Sequence, residues 1–146
     1  MRLFIIFYYG LLVSCTNTNI TPNNPEIEYF KKVKMKVFHD INIKHNEDIM
    51  TRISSTSIYY IPQIDFNMEK YNLIKERLHQ DGWKFSYSIN EKDIYCKNKK
   101  MSISFAKPLN DKNESTNNND HVMVVRAEGK WNIAFDYKSN NIKYCE

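Results

Sequence analysis

Glycine is scarce in this chain: three residues in 146, beside four prolines and three cysteines. Each glycine stands alone. There is no Gly-rich loop to cradle a phosphate and no G-x-S-x-G elbow to present a nucleophilic serine, and the H-E-x-x-H pattern of zinc hydrolases is missing too. Long apolar runs are also lacking. The single candidate, Leu3 to Val13, is about 11 residues, roughly half of the ~20 that a helix needs to cross a bilayer. Nor is there a block of one charge sign. The formal net charge of +4 comes from 21 Lys and Arg spread along the chain and opposed by 17 Asp and Glu. That balance points to a partner with an acidic face or to nearby anionic lipid, and no nucleic-acid partner is expected.

What is present begins with the leader. Arg2, an apolar stretch and small residues at its end have the order of a secretory signal peptide. At the seam stands Leu12-Val13-Ser14-Cys15, which resembles the lipobox of bacterial lipoproteins. The resemblance implies that residues 1–14 are removed, that Cys15 carries fatty acyl chains such as palmitate, and that the mature protein is held in the cell envelope. Thr16, where Asp often follows in inner-membrane lipoproteins, favours the outer membrane facing the periplasm. Several acyl chains, at ~0.8 kcal/mol per buried CH₂, anchor a protein permanently. Residues 15–25, rich in Thr, Asn and Pro, then read as the lipidated cysteine and a flexible tether. About 120 residues remain, enough for one domain, 26–146.

With Cys15 assigned to lipid, Cys96 and Cys145 form an even pair in a compartment where disulfides persist. The expectation is a bridge, the alternative two unpaired buried thiols. Neither cysteine has a second ligand at metal-binding spacing, so no metal and no cofactor is expected.

Periodicity is clearest in the second half. Phe66 to Gln80 sets Tyr71, Ile74 and Leu78 on one stripe, predicting an amphipathic helix capped by Asp65 or Asn67 and ended by Asp81-Gly82. The period then changes to two. Trp83, Phe85, Tyr87 and Ile89 alternate with polar residues, Ile94 to Cys96 reads as a short strand, and Met101, Ile103 and Phe105 alternate again. A polar loop, Lys107 to Asp120, separates these from Val122 to Ala127, from Trp131 to Tyr137, and from a last short strand, Ile142 to Cys145. Earlier segments are less distinct. Residues 26–41 fit a helix through Ile27, Phe30, Val37 and Phe38 or an edge strand through Val33, Met35 and Val37, and the helix is preferred. Ile49, Met50 and Ile53 suggest a short helical turn, and Ser57 to Ile61 a strand stopped by Pro62. The expected class is α+β: an antiparallel meander sheet of four to six strands, disulfide-stapled, with one or two helices packed on one face.

The His and acid residues gather at His39-Asp40, at His45-Asn46-Glu47-Asp48 and at Asp120-His121. Without a helix or strand register they are expected to be solvated polar loops, and His79 sits in a last helical turn where its charge suits the macrodipole. No catalytic residue is assigned and an enzyme is not expected. Aromatics, 14% of the chain, are the more informative feature. Most should fill the core, while Tyr59, Tyr60, Tyr87 and Tyr95 are the candidate interface anchors, since Tyr carries much of interface energy. Tyr59 and Tyr60 are consecutive in a strand, so only one can be buried.

Two resemblances bear on function. The run Ile94 to Phe105 (IYCKNKKMSISF) is similar to the Tyr-x-Cys, turn and strand opening of periplasmic C-type lysozyme inhibitors, but their Ser-Gly inhibitory loop has no counterpart here. The lipobox, a helix ending in Asp-Gly-Trp and a disulfide-stapled sheet together resemble small periplasmic immunity lipoproteins. The expectation is a non-enzymatic, lipid-anchored domain that binds another protein, most specifically for immunity to or inhibition of an exported toxin. The alternatives are an envelope assembly or structural accessory lipoprotein and a small periplasmic hydrolase using His121 or His45 with Glu47.

Overall fold

The computed structural model describes residues 24–109 and 124–145. Within them the order is α1 (Pro25–Val37), β1 (Lys44–Met50), β2 (Ser54–Pro62), a single 3₁₀ turn (Gln63–Asp65), α2 (Met68–Gln80), β3 (Lys84–Ile89), β4 (Lys92–Asn98), β5 (Met101–Ala106) and β6 (Lys130–Lys138).

The segment that fitted either helix or strand is the helix α1. Asn24 caps it, its side chain accepting from the N–H groups of Glu26 and Ile27 at 3.0 Å, and Pro25 occupies the first helical position, where its missing N–H costs nothing. Helix α1 thus begins one residue before residue 26. Ile27, Phe30, Val33 and Val37 form its buried stripe. In α2 the cap is Asn67, accepting from Lys70 N–H at 3.0 Å, and the buried stripe is Tyr71, Ile74 and Leu78. Its end is a Schellman motif: Gly82 has φ +79, its N–H bonds to His79 O, and Trp83 N–H reaches back to Leu78 O, both at 2.9 Å. Trp83 and Leu78 are both fully buried beside this turn.

All strand pairs are antiparallel, in the order β1-β2-β6-β5-β4-β3. This differs from one continuous meander. The run β3 to β6 is sequential, but β6 then meets β2 along nine residue pairs, from Ser54↔Lys138 to Pro62↔Lys130, so that the β1–β2 hairpin completes the sheet. Three local expectations are corrected. Residues 44–50 form a strand rather than a loop and helical turn, because the β2 backbone supplies the pairing that KHNEDIM would not seek alone. Residues 124–126 are irregular, and residues 142–145 form a turn beside β4 and β5, two strands already paired on both edges. Residues 122 and 123 lie outside the described part.

Both helices lie on one face. Their stripes share a single apolar cluster with Tyr59 and Ile61 of β2, Tyr95 of β4, Ile103 and Phe105 of β5, and Trp131, Ile133 and Phe135 of β6. The other face has a floor of small residues, where Val124 covers Ala106 and Ala134. Cys96 and Cys145 sit at disulfide-bonding distance with Cα atoms 5.5 Å apart, joining the C-terminal segment to β4.

Candidate functional site

The four candidate tyrosines divide between the two faces of the sheet: Tyr59 and Tyr60 do so as a period of two requires, whereas a bulge between Phe85 and Tyr87 pairs Tyr87 with Ile94 and turns it to the face opposite Phe85 and Tyr95. Tyr59 and Tyr95 turn toward the helices and are buried, 2% and 5% exposed. Tyr59 meets the Phe135 ring edge-on at 5.5 Å, and Tyr95 packs between Phe85 at 5.5 Å and Phe105 at 5.9 Å. As buried side chains they are core residues in place of the expected anchors. Tyr60 and Tyr87 point the other way. Tyr60 is half-buried, with the Lys44 and Lys130 ammonium groups 5.9 and 5.2 Å from its ring centre. Tyr87 is exposed and stacked on Tyr144 at 5.2 Å. The four do not converge on one site.

A site does form around one of them, Tyr95, together with residues that periodicity assigned to the core or to a solvated helix flank. Strands stand ~4.8 Å apart, so six of them span about 24 Å, whereas two helices ~10 Å wide cover less. With α1 seated against β2, the strips left exposed are the two edge strands, β1 and β3, and it is at β3 that a groove forms. There α2 and β3 enclose a cavity of about 780 Å³, lined by Lys75, Glu76, His79 and Gln80 from the helix, by Trp83, and by Phe85, Ser88, Asp93 and Tyr95 from the two strands. Its floor is aromatic. Phe85 is 58% exposed at the sheet margin with Tyr95 directly behind it. Large exposed aromatics on an edge strand are uncommon, because such edges are open to pairing with other chains.

The polar wall of this groove is fixed from beneath. Asp93 accepts from Tyr71 Oη at 2.6 Å and from Ser88 Oγ at 2.7 Å. Burial first, and then the bond to Asp93, push the Tyr71 phenol far above its ordinary pKa, so it stays a donor. At the other end, Asp81 accepts from Trp83 Nε1 at 3.1 Å and pairs with Lys36 and Lys97. Burial raises this carboxyl, but the bonds from Lys36 and Trp83 and the Lys97 charge outweigh it and hold the pKa below the usual range. These bonds lock the tryptophan against α2.

The His and acid clusters take structural positions. Asp40 makes a two-armed contact with Arg77, at 2.5 and 2.8 Å, and the hydrogen bonds from that guanidinium lower its pKa to about 2. His45 Nε2 lies 3.0 Å from Asp48 Oδ1, to which Ser57 Oγ also donates at 2.7 Å, so the expected loop is a strand-to-strand polar bridge. Among the described residues, no group of three or more His, Cys, Asp or Glu is placed to hold a metal. Cys15, Asp120 and His121 lie outside the described residues.

The architecture defines a class only: an α+β domain with one open antiparallel sheet and, among the described residues, two helices on one of its faces. Compared with known proteins, the chain matches no family model, no curated protein and no solved structure.

Proposed function

We propose that this chain is a lipid-anchored envelope lipoprotein whose folded domain binds another protein, with immunity to or inhibition of an exported toxin as its most specific role. The observation that carries the binding reading is the groove between α2 and β3. It combines a volume of about 780 Å³, an aromatic floor and a strand that pairs on one side only among the described strands. A partner segment in extended form would add to the β3 edge and place an apolar side chain over Phe85 and Tyr95, with Lys75, His79 and Asp93 fixing its polar neighbours. The lipobox-like seam supports the envelope location, where an exported toxin would be met.

The test uses the mature chain with Cys15→Ser as bait in an extract of its own strain, beside the same chain with Phe85→Ala. Phe85 is mostly exposed, so its removal leaves the core intact. A secreted toxin held by the first bait and lost at least tenfold with the second supports the reading, in line with a cost of about 1.4 kcal/mol or more for an anchor residue. Capture that Phe85→Ala leaves unchanged removes the groove from the proposal. Capture of envelope assembly proteins alone replaces the toxin role with an accessory one. The anchor is tested separately: Cys15→Ala should release the protein from membranes.

A further inference from the structure

The end of the sheet from which the chain leads back to Cys15 is basic. Asn24 lies there, its Nδ2 donating to Ser55 Oγ at the start of β2 at 2.9 Å. The β1–β2 turn, the β4–β5 turn and the segment after β6 meet at this end and are stitched by backbone hydrogen bonds. Ser139 N–H donates to Ile53 O at 2.9 Å, Lys138 N–H to Lys100 O at 2.9 Å and Ile142 N–H to Lys99 O at 2.7 Å. They bring together Arg52, Lys99, Lys100, Lys138 and Lys143, none of which forms an ion pair with a described residue. All are exposed except Lys138, which is half-buried. Acids at this end are engaged elsewhere or buried: Asp81 pairs with Lys36 and Lys97, Glu28 pairs with Lys31, and Asp136 is buried, accepting from Thr56 and facing the Lys138 charge, leaving Glu26 in the first turn of α1. Two apolar side chains project beside the bases, Ile53 at 53% and Met50 at 42% exposure.

We infer that this end is a docking face for an anionic phospholipid surface. Two observations choose that occupant. The charge is predominantly basic and lies in turns around an exposed isoleucine, a pairing suited to headgroups above and acyl chains just below. The chain outside the described residues also ends in the right place. Eight residues separate Cys15 from Asn24, a span of at most about 30 Å fully extended, so a lipid on Cys15 keeps this end, rather than the opposite one, next to the bilayer. The second argument rests on the lipoprotein reading; the first does not. Docked this way, the strands stand upright on the membrane and the α2–β3 groove opens sideways to partners.

The core residues all lie between Ile27 and Phe135, so a chain starting at residue 15 and carrying Cys15→Ser keeps every element and has no acyl group. It is sedimented with vesicles of phosphatidylglycerol mixed equally with phosphatidylcholine, and with vesicles of phosphatidylcholine alone. The expected result is binding to the first only, abolished in about 1 M salt, where the Debye length falls to ~3 Å. Each base near such a surface is worth about a fivefold change in partitioning, so Arg52→Glu, Lys99→Glu and Lys100→Glu together should weaken binding more than about 100-fold. Lys44→Glu, Lys70→Glu and Lys130→Glu, away from this face, should weaken it far less. Equal binding to neutral vesicles, or equal losses in the two triple variants, overturns the inference. Acylation of Cys15 is read separately, by mass spectrometry of the full-length protein extracted from membranes, so failure of one reading does not mask the other.

Discussion

Asp136 is the residue whose chemistry is most at odds with its surroundings. It sits on β6 facing away from the helices, 5% exposed, with Thr56 Oγ1 donating to its Oδ1 at 2.7 Å. Burial raises its pKa to about 6, partly countered by the Thr56 bond and the Lys138 charge. Because the folded state holds this proton more tightly than the unfolded chain, the contribution is present below about pH 4 and is lost as pH rises through about 6. At pH 7.5 the buried charge costs about 3 kcal/mol, an order-of-magnitude figure. Asp136→Asn keeps the acceptor and removes the charge. Urea unfolding at pH 4, 5, 6 and 7.5 should show the variant more stable at the high end and level with the native chain at the low end. Parallel pH profiles for the two proteins would contradict this account. Asp40 works in the opposite sense, its contribution being lost only as pH falls toward about 2, so the two windows do not overlap.

At the scale of elements, the β3–β4 hairpin turns through Asn90 and Glu91 with φ values of +49 and +57. Two consecutive left-handed residues define the tight turn that matches strand twist, and Asn-Gly suits it best. Glu91 is held there with a 2.9 Å ion pair to Lys107, both side chains partly exposed. An exposed pair is worth little, while a non-glycine residue in this region costs about 1 kcal/mol. Glu91→Gly should therefore raise the midpoint of thermal unfolding by a few degrees, and a lowered midpoint would show that the Lys107 contact matters more than the backbone. Helix α2 was legible in the sequence, with its Asn67 cap and Gly82 stop, because caps and glycine turns act over a few residues. Strand β1 was not legible. Its seven residues have little strand preference and become a strand by pairing with β2, whose own place depends on β6, about 75 residues further along.

For the whole molecule, the Cys96–Cys145 link closes a loop across a sequence separation of 49, worth about 4 kcal/mol on the chain-entropy model. Total stability for a small domain is on the order of 5–15 kcal/mol, so the double change Cys96→Ser with Cys145→Ser should lower unfolding free energy by a large fraction. Equilibrium urea unfolding of oxidised, reduced and doubly substituted protein measures it. A difference under about 1 kcal/mol would mean that the C-terminal segment is held by its hydrogen bonds alone. That segment also carries Lys143 and Tyr144, so losing the link should disturb the basic end and the Tyr87 stack together.

By itself the sequence determined the elements whose signals are local: α2 with its cap and stop, the strands β3, β5 and β6, the α+β class and the choice of Cys96 and Cys145 as the pair. Only the tertiary structure decided which alternating aromatics are covered. Phe85 and Tyr95 have the same period in the sequence, yet one is mostly exposed and the other buried, because β3 fell at the sheet margin beyond the reach of two helices. In the same way, Arg52, Lys99, Lys100, Lys138 and Lys143 are scattered over some ninety residues and become one face where antiparallel strands bring their turns to a common end. Periodicity reports which side of a strand faces inward. How much lies over that side depends on strand order, and strand order is set by contacts between residues far apart in the chain.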